Sequence, residues 1–147
     1  MAYILTSPET EQDWQDYFQL RWQVLREPWQ QPRGSERDEL EDQAMHIMAV
    51  DEHRNILGVG RLHRLTDHSG QIRYMAVHPQ QQGKGIGSQL LRRLENEARS
   101  WGCLEVLLNA RSSALDFYLQ RGYQIIGEAP VLFECIAHTR MRKRLVD

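Results

Sequence analysis

Met75-Ala76-Val77-His78-Pro79-Gln80-Gln81-Gln82-Gly83-Lys84-Gly85-Ile86-Gly87-Ser88 joins two different hydrophobic periods. Upstream, Gln71 to Val77 reads as a strand introduced by the turn residues Asp67-His68-Ser69-Gly70. Downstream, Ile86, Leu90, Leu91, Leu94, Ala98 and Trp101 fall on one helical stripe, with Arg92, Arg93, Asn96, Glu97 and Arg99 largely opposite. Gly102 is placed to close that helix as a left-handed cap. Three glycines between strand and helix let the backbone turn sharply and leave amide hydrogens free at the helix N-terminus. That arrangement binds phosphate through backbone donors and the positive end of the helix dipole.

The helix leads into Leu104 to Leu108, an apolar run of the length of a buried strand, followed by Asn109. Strand, helix and strand form a βαβ unit, which requires parallel pairing and a right-handed crossover. On the N-terminal side, His46 to Val50 and Ile56 to Leu65 read as strands joined by Asp51-Glu52-His53-Arg54-Asn55, and with Gln71 to Val77 they make three consecutive antiparallel strands. Before them come a short strand near Tyr3 to Leu5 and a helix entered at Ser7-Pro8, with Trp14, Tyr17, Phe18, Arg21 and Leu25 at helical spacing. Residues 27 to 35 read as loop, and Ser35 to Asp42 as an acidic helical turn or two with a solvated face that could attract a cationic acceptor. After Asn109, Ser113 and Asp116 resemble a capping box opening a helix through Tyr118 to Gln120 that Gly122 ends. Tyr123 to Ile126 and Leu132 to Met141 supply two last strands. The expected fold is α/β with a mixed sheet, antiparallel first and parallel in the middle, formed by residues 1–147 as a single domain.

The 147 residues suffice for one core, with roughly 68 to 70% of the unfolded surface buried. Hydrophobic residues at 41% and charged residues at 26% are ordinary for a globular chain. No apolar run approaches the roughly 18 residues of a membrane helix, and Met1-Ala2-Tyr3-Ile4-Leu5 has no signal-peptide pattern, so a cytoplasmic protein without a membrane partner is expected. A net charge of −2 gives no general attraction to nucleic acid. Cys103 and Cys135 lack metal-ligand spacing and read as two buried thiols, and His46, His53, His68 and His78 have no spacing that suggests a metal site.

Three phosphate-binding patterns compete for the glycine turn. A P-loop needs Gly-Lys-Ser/Thr after four intervening residues, and none is present. A dinucleotide fingerprint starting at Gly83 needs a third glycine where Ser88 stands; Glu105 imitates the ribose-binding acid, but too little chain follows to complete such a fold. The third pattern, Gln/Arg-x-x-Gly-x-Gly/Ala, matches as Gln82, Gly85 and Gly87. Here the chain resembles the GNAT superfamily of N-acetyltransferases over nearly its whole length, with Asn109 and Tyr118 at the expected strand end and helix. The segment Ile136-Ala137-His138-Thr139-Arg140-Met141 also looks like a bacterial ElaA-like branch whose members often carry Gly-Ile-Pro-His there; Cys135 and Ala137 depart from it.

The resemblance implies acetyl-CoA as cosubstrate and a primary amine acceptor, on a small molecule or a peptide, attacking in a ternary complex. It implies two central parallel strands that splay apart, with the backbone of Met75, Ala76 and Val77 holding the pantetheine arm as an added strand would. The Met75 amide would face the thioester oxygen; Gln82, Gly83, Lys84, Gly85, Ile86, Gly87 and Ser88 would hold the pyrophosphate; Asn109 would reach the arm. Tyr118 resembles the family's general acid toward the leaving thiolate. Gln71 stands where several members carry a basic glutamate, so His138, His63 or Glu134 would substitute, or the amine would lose its proton to solvent. Bland alternatives stand beside each role: Tyr118 as core, Asn109 as a strand end, His138 as a structural histidine. A non-catalytic acyl-CoA-binding module of the same fold is the alternative function, and a homodimer is compatible with either.

Overall fold

The computed structural model describes residues 2–146. Seven strands form one mixed sheet: β1 (Tyr3–Thr6), β2 (Met45–Asp51), β3 (Ile56–Thr66), β4 (Ser69–Val77), β5 (Glu105–Arg111), β6 (Gln124–Leu132) and β7 (Ile136–Arg144). Their order is β1-β2-β3-β4-β5-β7-β6, antiparallel throughout except for the β4 and β5 pair. The helices are α1 (Glu11–Leu25), α2 (Ile86–Ser100) and α3 (Leu115–Leu119). Their packing divides the core between the two faces of the sheet. Tyr17, Phe18, Leu20 and Leu25 of α1 cover Met48, Val50, Val59, Tyr74 and Ala76, while Ile86, Leu90, Leu91, Leu94 and Ala98 of α2 cover Ile47, Leu57, Leu62, Ile72, Val106 and Leu108.

The expected mixed sheet and βαβ unit are present, and Gly102 and Gly122 close their helices at φ 81° and 92°. Several local expectations need correction. Helix α1 starts at Glu11 rather than at Pro8, because Thr10 and Asp13 form a reciprocal capping box. Helix α3 has no such box: Ala114 is its N-cap, preceded by a 3-10 turn at Ser112–Ala114. The last two strands meet later than expected, in a turn where Phe133 and Glu134 have φ of 53° and 61°. Neither is a glycine or asparagine, so turn chemistry gave no signal there. Cys103 is buried, but Cys135 lies beside that turn and is exposed.

The acidic run is also different from a solvated face. Only Glu41–Gln43 is helical, as a single 3-10 turn. Asp38 accepts from Arg61 Nη1 and Nη2 at 2.7 and 3.0 Å and from Arg73 Nη1 at 2.9 Å. Glu41 lies 2.9 Å from Arg21 Nη1 and 3.0 Å from Arg61 Nη1. Arg21 and Arg61 are fully buried, and Glu36 is buried too. These carboxylates are occupied by the chain's own arginines and do not wait for a cation.

Candidate active site

Strand β4 contains the distortion that opens the site. Val59 pairs with Ala76 and Arg61 with Arg73, so Gly60 alone faces both Tyr74 and Met75. This is a bulge, and Tyr74 carries it with a left-handed φ of 57°. The extra residue breaks the alternation of faces: Ile72, Met75 and Val77 pack toward α2, Tyr74 and Ala76 toward α1. The Tyr17 hydroxyl donates to the Gly60 carbonyl at 3.0 Å, at the point where the ladder is interrupted. A Cβ on Gly60 would stand 2.8 Å from the Met75 sulfur and 2.9 Å from Leu94 Cδ1, so any larger residue here would displace these two side chains.

Beyond the bulge β4 leaves its parallel neighbour. Pairing with β5 covers only Ser69–Gln71 against Glu105–Leu107. The parting strands enclose a cleft of about 260 Å³, lined among others by Met75, Asn109, Tyr118 and His138. Four of the residues singled out from the sequence thus meet in one place. Asn109 lies inside β5 and does not end it.

Tyr118 is buried between the edges of Phe117 and Tyr123, with ring centroids 5.0 and 5.6 Å away. Burial pushes its phenol up to about 12. Its hydroxyl has no hydrogen-bond partner among the described residues, and the residue lines the cleft. His138 is half-buried and sits across from Arg111 in the β5–β7 ladder. Its Nδ1 donates to the Ile136 carbonyl at 3.0 Å, which leaves Nε2 as the basic nitrogen. Burial holds His138 below the usual histidine value; the Ile136 bond opposes this, while Arg111, Arg26 and Arg73 add to it. The imidazole is therefore neutral at pH 7.

The other candidate bases lie elsewhere. His63 is buried beside Arg61, whose Nη2 is 3.1 Å from its Nδ1, and is outside the cleft lining. Glu134 is exposed in the β6–β7 turn. Gln71 lies opposite His63 on β3 and also does not line the cleft.

At the other end of β4, Gln82 Nε2 donates to the Val77 carbonyl at 3.2 Å and Lys84 Nζ to Gln81 Oε1 at 3.3 Å. Gly83 and Gly85 take φ of 80° and 85°, and a Cβ on either would meet no atom within 4 Å. Gly85 is the N-cap of α2 and offers no side-chain cap. The first intrahelical bond runs from the Gln89 amide to the Gly85 carbonyl at 3.1 Å, so the amides of Ile86, Gly87 and Ser88 precede the ladder. Gly87 differs in having neighbours: a Cβ there would come into contact with Phe117 at 3.4 Å and Val77 at 3.6 Å. Uncapped amides, open space over two left-handed glycines and a lysine fit a pyrophosphate.

Sequence reasoning missed four arginines. Arg121 Nε donates to Ser88 Oγ at 3.2 Å, beside the α2 N-terminus. Arg26, Arg73 and Arg111 line the cleft. For Arg111 a signal existed: two residues after Asn109 on one strand, it shares that residue's face.

The acetyltransferase (GNAT) family model matches residues 14–123. The N-acetyltransferase YjcF of Bacillus subtilis (strain 168), described as uncharacterised, is 30% identical over 135 residues, which cover 92% of this chain and 95% of that protein. Among solved structures, an aminoglycoside 6'-N-acetyltransferase complexed with coenzyme A has a TM-score of 0.81 at 16% identity, covering 98% of each chain. ElaA of Escherichia coli has a TM-score of 0.78 at 15% identity, covering 97% of this chain and 99% of that one; it shares the fold. The splayed strands, the uncapped glycine turn and the family match agree: the chain belongs to the acetyltransferase (GNAT) family.

Proposed function

We propose that the cleft between β4 and β5 transfers the acetyl group of acetyl-CoA to a primary amine by direct attack in a ternary complex. The observation carrying this reading is the early end of β4–β5 pairing, which leaves Met75, Asn109, Tyr118 and His138 around one cavity. The backbone from Met75 to Val77 takes the pantetheine arm along its unpaired edge. The amides of Ile86, Gly87 and Ser88, with Gln82, Gly83, Gly85 and Lys84 around them, hold the pyrophosphate, and Asn109 approaches the arm from β5. In this reading the Met75 amide donates to the thioester oxygen as negative charge gathers there. His138 Nε2 accepts a proton from the attacking nitrogen, directly or through a water, as the C–N bond forms. Tyr118 donates a hydrogen bond to the sulfur as the C–S bond breaks.

Membrane-crossing helices are absent from the described residues, and a cytoplasmic setting is part of the proposal, in keeping with two free thiols. The test combines acetyl-CoA calorimetry with an acceptor panel read by free CoA, for wild type and Gly85→Glu. Glutamate at a φ of 85° strains the turn and repels phosphate, so a folded variant should lose acetyl-CoA affinity by tenfold or more. Undiminished affinity would remove the turn from the site, and a panel in which no amine releases CoA would favour a non-catalytic binding module.

A further inference from the structure

The acceptor end of the cleft has a charge that the acetyl-transfer reading leaves unused. Arg26 and Arg111 both line it, one from the end of α1 and one from the end of β5. Arg26 is only 5% exposed, yet its hydrogen bonds go to two carbonyls, Ser35 at 2.9 Å and Leu25 at 3.1 Å. Arg111 Nη2 donates to that same Leu25 carbonyl at 3.0 Å. Two guanidiniums therefore converge on one oxygen. Neither has a carboxylate within 4.0 Å among the described residues, whereas the third arginine, Arg73, pairs with Asp38 at 2.9 Å. Among the described residues, the cleft lining contains no aspartate or glutamate.

A structural explanation would be that both arginines cap the C-terminus of α1. The helix dipole supplies about half a negative charge there, against two positive ones. The remaining donors, Arg26 Nη2 and Arg111 Nε and Nη1, have no protein partner among the described residues, and none is sealed from solvent. Aromatic rings flank both guanidiniums: Arg26 lies 5.6 Å from the Tyr74 ring centroid and 5.2 Å from that of Phe133, and Arg111 lies 5.9 Å from that of Trp29. Rigid forks with free donors are what planar oxyanions bind best. They also repel a polycation.

We infer that the acceptor amine carries an anionic oxygen group, a carboxylate or a phosphate, which Arg26 and Arg111 bind while its nitrogen faces the thioester. The inference rests on the acetyl-transfer reading and narrows its acceptor to a small zwitterion, such as an α-amino acid or a phosphorylated amine.

The experiment compares kcat/KM, by free CoA release, for the α-amino acids, their carboxamides, O-phosphoethanolamine, spermidine and kanamycin. The best amino acid or the phosphorylated amine should exceed its uncharged or cationic counterparts at least tenfold, mainly through KM; which of the two leads tells carboxylate from phosphate. Arg111→Gln should collapse the ratio of amino acid to carboxamide toward one, and Arg111→Lys should restore part of it. A second measurement does not depend on turnover: calorimetry of an N-acetylamino acid against its amide, with CoA present, on wild type and Arg111→Gln. Spermidine, kanamycin or a carboxamide matching the amino acids would overturn the inference while leaving acetyl transfer intact. If no amine releases CoA, acetyl transfer fails, and the calorimetric arm still decides: preference for the carboxylate that Arg111→Gln abolishes supports the anion site, and equal binding ends it.

Discussion

Tyr118 keeps its proton at any physiological pH, since burial pushes the phenol up to about 12. Giving that proton to a thiolate with an ordinary pKa near 8.5 would be uphill by about 5 kcal/mol, so in the proposed mechanism the hydroxyl would act by donating a hydrogen bond to sulfur. That bond strengthens only as charge develops. Tyr118→Phe should therefore lower kcat by roughly 10² to 10³ with little change in acetyl-CoA affinity; unchanged turnover with acyl transfer rate-limiting would return Tyr118 to the core. His138 gives a different signature. A base held below the usual 6.5 puts its activity limb below pH 6.5, with the neutral, active form predominant at pH 7. His138→Ala should erase that limb in a kcat/KM profile and lower the plateau about tenfold to a hundredfold; coincident profiles would mean that the amine loses its proton to solvent. Tyr118 was singled out by its resemblance to the family's general acid, and His138 as one of three substitutes for the glutamate that Gln71 replaces; of those three only His138 lines the cleft. Arg26 and Arg111 were not singled out: Arg111 shares the face of Asn109, but the Leu25 carbonyl at which the two guanidiniums meet lies 86 positions away from it.

Among the elements, β4 does the least expected thing. The glycine turn and α2 could be read directly, since periodicity and left-handed glycines speak for themselves. The bulge could not: Tyr74 at φ 57° is a residue that sequence reasoning assigns to plain strand. Such a backbone costs on the order of 1 to 3 kcal/mol and needs support from around it. Support comes from Arg21, whose guanidinium carbon stands 4.3 Å from the Tyr74 ring centroid, and from Tyr17, which donates to Gly60 and accepts from Arg21 Nη2 at 3.0 Å. Tyr17 looked like simple core from its helical stripe, and it is fully buried, but its hydroxyl holds the strand junction that opens the cleft. The same hydroxyl is 2.9 Å from His46 Nδ1, so Tyr17→Phe leaves the Gly60 carbonyl, His46 Nδ1 and one Arg21 donor without this partner. It should cost about 1 to 3 kcal/mol in urea unfolding and raise KM for acetyl-CoA severalfold as the splay loosens. An unchanged urea midpoint would show that the bulge needs no such anchor.

At the scale of the whole molecule, a net charge of −2 conceals a strong segregation of charge. Two arginines without carboxylates face the cleft, while Asp38 and Glu41 hold Arg21, Arg61 and Arg73 together and so join α1, β3 and β4 to the segment between α1 and β2. The sequence showed the acids as one run but scattered their partners over fifty residues, so a tightly paired hub read as a solvated face. Asp38 reports on this hub. Burial would raise its carboxyl, but the Arg61 hydrogen bonds, the Leu40 amide and the charges of Arg61 and Arg73 bring it down to about 2 from an ordinary 3.8. A folded value below the unfolded one means that the stabilisation is complete above about pH 4 and disappears as pH falls through about 2, with a size of roughly 2 kcal/mol. Asp38→Asn should consequently cost about 2 to 4 kcal/mol at pH 7, because Arg61 is left fully buried with one carboxylate fewer. The same variant should lose part of its stability change between pH 4 and pH 2, where the wild type gives up the Asp38 contribution. Urea midpoints for both proteins across that range test the account: parallel curves would show that Asp38 titrates as an ordinary surface acid and that the hub is held by Glu41 alone.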